Sequence, residues 1–246
     1  MAESTTPTQP GTRKALVTGG TRGIGLAVAR RLAADQVRVT ITGTVVRQDL
    51  HIPEGMNVLA VDFTRPESFE AFADEVSSAG YDILVNNAGI NAIAPFASVD
   101  MDDFDRIWQV NVRAAFRLCQ SVLPGMVGKG WGRIVNVSSI FGKISKAWRA
   151  SYSSSKFALD GMSAALAAEV ASQGVLVNCV APGFIDTELT RRVLGAEGMA
   201  ELSRQIPMQR LGRAEEVAAF VAWLAGPENT YISGQNIAID GGFTRV

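Results

Sequence analysis

K-A-L-V-T-G-G-T-R-G-I-G spans residues 14–25 and joins a short apolar run to a turn rich in glycine. The length and flanks of the run predict a buried strand over residues 14–18, and the pattern after the turn predicts a helix over residues 24–34. Glycines let a backbone approach a phosphate, and a helix N-terminus favours an anion. The spacing of Gly19, Gly23 and Gly25 is not G-x-G-x-x-G, so a tight turn that packs strand against helix is the alternative to nucleotide binding.

Six further apolar runs of strand length follow, at residues 37–42, 56–61, 82–86, 133–138, 175–180 and 236–239. Helical patterns separate them, at residues 65–79, 101–126, 150–172, 188–205 and 214–225. Nearly continuous apolar strands that alternate with helices are typical of a parallel sheet covered on both faces. We therefore predict an α/β fold, with a single Rossmann-like doubly wound domain over residues 13–246 and a seven-stranded parallel sheet.

Two of these helices carry further predictions. The helix at 188–205 contains Gly195 and Gly198, and we interpret this interrupted segment as a substrate lid. The helix at 150–172 is apolar or small-sided most of the way round, which predicts burial on more than one side. We expect it to pack on the sheet and against a partner subunit.

Composition excludes several classes of function. The 246 residues are 47% hydrophobic with a formal net charge of −1, and no run of Lys and Arg exceeds two residues. These values argue against a nucleic-acid or anionic-membrane partner. No apolar run reaches the roughly eighteen residues of a membrane span. Residues 1–12 are polar and contain proline but no apolar signal core, so we predict a disordered tail and a cytoplasmic protein.

Cysteine and histidine are too scarce for metal or triad chemistry. Cys119 and Cys179 have apolar neighbours and are predicted to be buried thiols. His51 is the only histidine and lies in a short linker, so neither a multi-histidine zinc site nor a Ser-His-Asp triad is expected. We predict no metal site. Acid–base chemistry must then use tyrosine, lysine, serine or a carboxylate.

A-S-Y-S-S-S-K at residues 150–156 supplies such a group. Tyr152 and Lys156 are four residues apart, so in a helix they share a face. A nearby ammonium favours the phenolate and lowers the tyrosine pKa from about 10. Tyr152 is therefore a candidate general acid or base. A half-buried ring beside a solvated cation is the structural alternative.

The end of the second strand bears on cofactor choice. In many dinucleotide folds an acidic residue here binds the ribose hydroxyls. In this chain Gly43 and Thr44 follow the strand, and no carboxylate appears before Asp49. Arg22 in the glycine turn is placed to meet a 2′-phosphate beside Thr44, and Arg47 is a further candidate. This pattern favours NADP over NAD, with an exposed Arg22 of no function as the alternative.

Polar residues also follow the next three strands. Asp62 ends the third strand, where its side chain could reach an adenine ring, and Ser139 lies at the end of the fifth. N-N-A-G at residues 86–89 follows the fourth strand, and its amides can tie neighbouring strands together. Ligands of open parallel sheets bind outside the carboxyl ends of the strands. Asn111, in V-N-V, is interpreted from the residues alone as a polar face position.

Taken together, these motifs resemble the short-chain dehydrogenase/reductase family over about residues 13–244. The motifs are T-G-x-x-x-G-x-G at 18–25, N-N-A-G at 86–89, Asn111, Ser139, Y-x-x-x-K at 152–156 and P-G at 182–183. The resemblance implies that Tyr152 is the proton donor for ketone reduction, that Lys156 binds the nicotinamide ribose and lowers the tyrosine pKa, and that Ser139 orients the substrate oxygen. It implies that Asn111 holds a water in a proton relay. The implied cofactor-binding residues are Gly19, Thr21, Arg22, Gly23, Ile24, Gly25, Thr44, Asp62, Phe63, Asn87, Ala88, Gly89, Tyr152, Lys156, Pro182, Gly183, Ile185 and Thr187.

Within this family the chain resembles the 3-oxoacyl-(acyl-carrier-protein) reductase group of fatty acid biosynthesis. P-G-F-I-D-T at 182–187, I-P-M-Q-R-L-G-R at 206–213 and Y-I-S-G-Q-N-I-A-I-D-G-G at 231–242 carry this likeness. It implies NADPH as cofactor and a homotetramer or dimer built through helices 150–172 and 214–225. Reductases of this group often carry basic residues for the acidic carrier before the fifth strand and after the tyrosine helix, where this chain has only Lys129.

Three readings follow from the sequence. The first is an NADPH-dependent ketone reductase that acts on an acyl-carrier thioester or on a free ketone, sugar or ring alcohol. The second is an NAD-dependent alcohol or polyol dehydrogenase. The third is a cofactor-binding regulatory protein without activity, against which the complete set of catalytic residues argues. Phe141 and Trp148 suggest an apolar pocket wall, with ordinary packing as the alternative.

Overall fold

A computed structural model describes residues 13–45 and 55–246. The predicted tail at 1–12, together with Arg47, Asp49 and His51, lies outside the described residues. The strands are β1 (Lys14–Val17), β2 (Arg38–Gly43), β3 (Asn57–Ala60), β4 (Ile83–Asn86), β5 (Gly132–Val137), β6 (Val175–Pro182), β7 (Ile185–Asp186), β8 (Gly212–Arg213) and β9 (Asn236–Ile239). The helices are α1 (Gly23–Ala34), α2 (Pro66–Ala79), α3 (Met101–Trp108), α4 (Ala114–Gly128), α5 (Ala150–Val170), α6 (Glu188–Arg204) and α7 (Ala214–Ala225).

Seven of the strands form one parallel sheet in the order β3-β2-β1-β4-β5-β6-β9. Strand order reverses between β1 and β4, which is the switch point where ligands of such sheets bind. Val17 pairs with Val85 there, so the turns after both strands leave the sheet side by side. The predicted fold class is confirmed.

Two apolar layers cover the sheet. On one face, α1 and α7 pack together and bury Val28, Leu32 and Val221 against the strands. On the other face, α2, α4 and α5 bury side chains that include Phe69 and Leu118. Because both faces are covered, the central strands are apolar along their whole length, as fully buried parallel strands must be.

The helix predicted over residues 101–126 is interrupted. A π-helical turn spans Gln109–Arg113 between α3 and α4. Such a turn contains one residue more than a regular helical turn and often occurs at functional sites. Asn111 lies in its middle and is buried, so its interpretation as a polar face position was wrong.

The carboxyl side of the sheet differs from the prediction in two further respects. β6 continues through Pro182 instead of ending at residue 180, and β7 pairs with β8 in a small parallel ribbon that the sequence did not predict. α6 is broken at Gly195, whose φ of 63° and ψ of −178° lie outside the helical region. The pairing of β7 with β8 thus holds the segment after β6 in place beside the edge of the main sheet.

The described helices include none that combines the length and apolar character needed to cross a membrane. Cys119 and Cys179 are both free and buried, as predicted, and burial raises the pKa of each thiol to about 12. Both thiols therefore remain protonated at neutral pH.

Candidate active site

Tyr152 and Lys156 lie one turn apart in the first half of α5, which is held against the carboxyl end of β5 by two hydrogen bonds. Lys156 is buried, and its Nζ donates to the backbone carbonyl of Val137 over 2.8 Å. The Ser138 hydroxyl in turn donates to the Lys156 carbonyl over 3.0 Å. A Cβ added at Gly142 would lie 2.8 Å from that same carbonyl, so only glycine allows the close approach.

The protonation of this pair differs from the sequence-based expectation. Burial raises the pKa of Tyr152, while a hydrogen bond with Ser139 and the charge of Arg149 lower it by less. Burial also lowers the pKa of Lys156 to about 8. The Lys156 Nζ lies 5.6 Å from the Tyr152 ring centroid and is already bonded to Val137. Burial therefore sets the direction of the Tyr152 pKa shift, and Lys156 is not among the groups that lower this pKa in the chain alone.

Ser139 follows β5 and is buried beside the tyrosine helix. Its hydroxyl accepts a hydrogen bond from the backbone N–H of Phe141 over 3.2 Å. This bond fixes the start of the short helical turn Ile140–Gly142 and leaves the hydroxyl proton available to a second partner. The structure thus brings Ser139 and Tyr152 together, as the resemblance implied.

Asn111 connects three parts of the site. Its Nδ2 donates to the Ile90 carbonyl and to the Ser155 hydroxyl, each over 3.0 Å, and its Oδ1 accepts from the Ile90 N–H over 2.8 Å. A Cβ built on Gly89 would lie 3.4 Å from both Asn111 Oδ1 and Lys156 Nζ. Sequence reasoning did not single out Ser155, although its position three residues after Tyr152 places it on the inner face of α5.

The glycine turn after β1 and the N-N-A-G turn after β4 are fastened to each other. The Thr18 hydroxyl accepts from the backbone N–H groups of Asn87 and Ala88, each over 3.0 Å. The Asn87 amide donates to the carbonyls of Thr18 and Gly19, also over 3.0 Å each. Gly19 has a φ of +62°, and a Cβ on Gly25 would meet Asn87 Nδ2 at 2.4 Å. Both positions need glycine, because a Cβ at either one would press on Asn87 and so force the two turns apart.

Arg22 and Thr44 lie at the outer edge of this cradle. Arg22 is exposed and immediately precedes α1, and within the described ranges no ion pair involves it. A Cβ on Gly43 would meet the Thr21 methyl at 2.6 Å, so the glycine turn and the end of β2 are in contact. Arg22 directly follows Thr21 in the chain, and Thr44 directly follows Gly43. The contact between Thr21 and Gly43 therefore brings Arg22 and Thr44 to the same edge of the cradle, as a shared 2′-phosphate site requires.

Asp62 and Phe63 follow β3 and are only partly free for a ligand. One oxygen of the Asp62 carboxylate accepts from the Thr64 N–H over 2.9 Å and from the Thr64 hydroxyl over 2.6 Å, and these bonds lower the Asp62 pKa. The Phe63 ring packs edge-on against Phe69, with centroids 5.3 Å apart, inside the core. The Phe63 side chain is thus outside the candidate site, and only its backbone is left for a cofactor.

The segment after β6 lies beside the glycine turn, at the carboxyl edge of the sheet. Pro182 ends that strand and Gly183 packs against Asp240, where a Cβ would meet the Asp240 Cα at 2.8 Å. Thr187 begins α6, and its hydroxyl accepts from the Thr190 N–H over 3.2 Å. The Thr187 methyl lies 3.7 Å from a Cβ built on Gly23, so this segment contacts the glycine turn. Ile185, in β7, is buried beneath it.

Three aromatic rings pack together in the chain segments after Ser139 and after β6. Phe141 is buried, and its ring is edge-on to Phe184 with centroids 6.2 Å apart; Phe184 is edge-on to Phe243 at 5.1 Å. Phe141 thus packs among aromatic side chains, and its role as an apolar pocket wall stays a prediction. Trp148 is 62% exposed and has a positive φ of 68°, so it projects from the surface near the start of α5 instead of filling the wall.

The matching protein family, described as "Enoyl-(Acyl carrier protein) reductase", covers residues 19–244. A 3-oxoacyl-[acyl-carrier-protein] reductase FabG from Vibrio cholerae is 40% identical over 93% of this chain and 96% of its own length. The chain belongs to the short-chain dehydrogenase/reductase family, and it is an oxidoreductase.

Two solved structures show the same fold. One, described as a putative NAD(P)-dependent gluconate 5-dehydrogenase from Beutenbergia cavernae with bound NADP, has a TM-score of 0.89 and 32% identity, covering 97% of this chain and 100% of its own. The other, a gluconate 5-dehydrogenase from Burkholderia cenocepacia in complex with NADP and tartrate, has a TM-score of 0.85 and 31% identity over 95% and 96% of the two chains.

Proposed function

We propose that this protein is an NADPH-dependent reductase that converts a ketone to a secondary alcohol. The observation that carries the proposal is the convergence of Tyr152, Ser139, Lys156 and Asn111 at the carboxyl edge of the sheet, beside the glycine cradle. Related structures with bound NADP support this choice of cofactor. The same site in reverse would oxidise the alcohol.

NADP would be held by the glycine turn at Gly19–Gly25, by Arg22 and Thr44 at its 2′-phosphate, and by the segment that contains Ile185 and Thr187. The positive φ of Gly19 and the close packing of the buried Gly25 against Asn87 and the Gly19 carbonyl support this assignment, because a dinucleotide-binding turn needs both a tight bend and close helix–strand packing. When bound, the reduced nicotinamide supplies the hydride. The protein supplies position and a proton.

Each catalytic side chain then has one task. Ser139 donates a hydrogen bond to the substrate carbonyl and orients it toward Tyr152. The Tyr152 phenol is protonated at neutral pH because burial raises its pKa, so it is ready to donate a proton to the developing alkoxide. Lys156 binds the nicotinamide ribose, and Asn111 holds the turn at Gly89–Ile90 and a water that leads to Lys156. α6, with its break at Gly195, closes over the substrate as a lid.

A 3-oxoacyl thioester is the first candidate substrate because curated relatives of that activity match nearly the whole chain. One observation speaks for a free substrate. The Lys129 ammonium, the basic residue nearest the expected carrier surface before β5, is bonded to Asp82 over 2.6 Å and to the Gly80 carbonyl over 2.8 Å. It is thus partly neutralised. A small polyhydroxylated ketone or sugar acid, as in the gluconate dehydrogenases, is the second candidate.

The assembly is proposed to be a homotetramer or dimer through residues 150–172 and 214–225. The outer face of α5 exposes Phe157, at 45%, together with the small residues Gly161, Ala164, Ala165 and Ala168. On α7, Trp223 stacks on Phe220 and is 37% exposed. Exposed apolar side chains of this kind on each of the two helices favour burial against a second copy.

The test is ketone reduction by purified protein with NADPH and with NADH, using an acetoacetyl thioester, ethyl acetoacetate and 5-ketogluconate. We expect Tyr152→Phe to lower turnover by about 100-fold or more, as for loss of a general acid, while NADPH binding is kept. Tyr231→Phe is the matched control because Tyr231 is 96% exposed. Undiminished turnover by Tyr152→Phe would contradict the assignment of the proton donor.

A further inference from the structure

The segment between the catalytic serine and tyrosine is unusually basic. Residues 140–151 contain Lys143, Lys146 and Arg149 and no carboxylate. Two of these cations are accounted for by their surroundings: Lys143 donates to the Asn236 carbonyl over 2.7 Å, and Lys146 is exposed to solvent. Arg149 is different because it is half-buried at the start of α5, one turn before Tyr152.

The Arg149 guanidinium has no anionic partner. Over residues 13–45 and 55–246, no salt bridge involves Arg149. Most of the arginines that do form a described ion pair engage an Asp or Glu within 3.2 Å. Its Cζ lies 5.6 Å from the centroid of the Phe141 ring, so one face of the guanidinium is shielded by an aromatic side chain. A partly desolvated charge without a partner is unfavourable, and an anion from outside would relieve that cost.

The location of Arg149 selects the kind of anion. The backbone N–H of Phe141 donates to the Ser139 hydroxyl over 3.2 Å, and Arg149 lies one turn before Tyr152 at the start of α5. The guanidinium over the Phe141 ring is therefore at the end of the sheet that carries the candidate catalytic residues and not at a remote surface. Its charge is close enough to act on the Tyr152 hydroxyl. A guanidinium binds a carboxylate through two parallel hydrogen bonds and thereby fixes its orientation.

We propose that Arg149 binds a carboxylate on the ketone substrate itself, which makes short oxo acids the preferred substrates of this site. This inference rests on the proposed ketone reduction and adds the substrate class.

Calorimetric titration of the protein–NADP⁺ complex tests the inference without requiring turnover. The probes are acetoacetate and its uncharged ethyl ester, and the variants are Arg149→Gln, Arg149→Lys and, as the matched control, Lys146→Gln. We expect Arg149→Gln to weaken acetoacetate binding by at least about 10-fold, which is typical of losing a hydrogen bond to a charged group, and to leave ester binding unchanged. Arg149→Lys should retain part of the affinity, and Lys146→Gln all of it.

Unchanged acetoacetate binding by Arg149→Gln, or an equal loss for acid and ester in both Arg149 variants, would overturn the inference. So would the absence of any preference for the acid in the unaltered protein. These results are separable from failure of the proposed function. If the unaltered protein binds acetoacetate through Arg149 but reduces no ketone, the carboxylate site stands and the reductase proposal falls.

Discussion

The buried ammonium of Lys156 and the backbone carbonyl of Val137 are joined by a hydrogen bond of 2.8 Å. This contact ties α5, which carries the proposed catalytic residues, to the end of β5. It also means that the ammonium has a backbone partner but no carboxylate partner there. Burial accordingly lowers the Lys156 pKa to about 8, so this residue titrates in an accessible pH range.

The first prediction concerns stability against pH. In the unfolded chain Lys156 has its ordinary pKa of about 10.5, so between pH 8 and 10 the unfolded state holds a proton that the native state has lost. Raising the pH through this window therefore stabilises the native protein, by up to about 1.4 kcal/mol per pH unit. Urea unfolding at pH 7.5, 8.0 and 8.5 should show this rise, and Lys156→Met should abolish it.

Lys146→Met is the control for that series, since Lys146 is exposed and its removal should leave the pH slope intact. The raised pKa values of Tyr152 and of the buried Cys119 and Cys179 thiols have the opposite sign, because these groups ionise first in the unfolded chain, the thiols near pH 9 and the phenol near pH 10. Measurements should therefore stop at pH 8.5. A slope identical in the unaltered protein and in Lys156→Met would show that Lys156 is not the titrating group.

The second prediction concerns Asn111. Asn111→Ala leaves the Ile90 backbone groups and the Ser155 hydroxyl without a partner in a buried region, which should lower the free energy of unfolding by about 2–4 kcal/mol. Chemical denaturation measures the change. Asn91→Ala, at an exposed position in the same loop as Ile90, should stay within about 0.5 kcal/mol. A similar loss in both variants would mean that the hydrogen bonds of Asn111 do not hold the site.

The third prediction concerns cofactor choice. Arg22→Gln should lower kcat/KM for NADPH by about 10-fold or more and change that for NADH little, because only NADPH carries the 2′-phosphate. Steady-state kinetics with each cofactor measure the ratio. Arg106→Gln removes an exposed arginine on α3 and is the control. An equal effect of Arg22→Gln on both cofactors would remove the reason for assigning Arg22 to the phosphate.

The parts of the fold that follow from local pattern were predictable. The seven sheet strands and the helices around them were located from apolar runs, and α7 and β9 begin and end at the predicted residues. Asn87 and the glycine turn were paired correctly because residues after adjacent parallel strands must meet at one sheet edge. Short elements such as β7 and β8 were missed, since two residues give no periodicity.

The electrostatics of the site were not predictable from spacing alone. Spacing placed Lys156 near Tyr152, but the sign of the net pKa shift depends on how deeply the phenol is buried, and sequence does not report depth. For the same reason the depth of the Phe63 ring, which lies in the core with Phe69, was not predictable. Arg149 was overlooked because an arginine is noteworthy only once its lack of a partner is known.

The extra residue in the π-helical turn at Gln109–Arg113 sets the rotation of α3 about the helix axis relative to α4. One residue of a regular helix corresponds to about 100° of rotation. A chain shortened by a single residue there would form a continuous regular helix from α3 into α4. The Asn111 side chain would then point away from Ile90 and Ser155. The π-helical turn thus sets the direction of the Asn111 amide. Insertions and deletions should therefore be far less tolerated at this turn than elsewhere in α3 or α4.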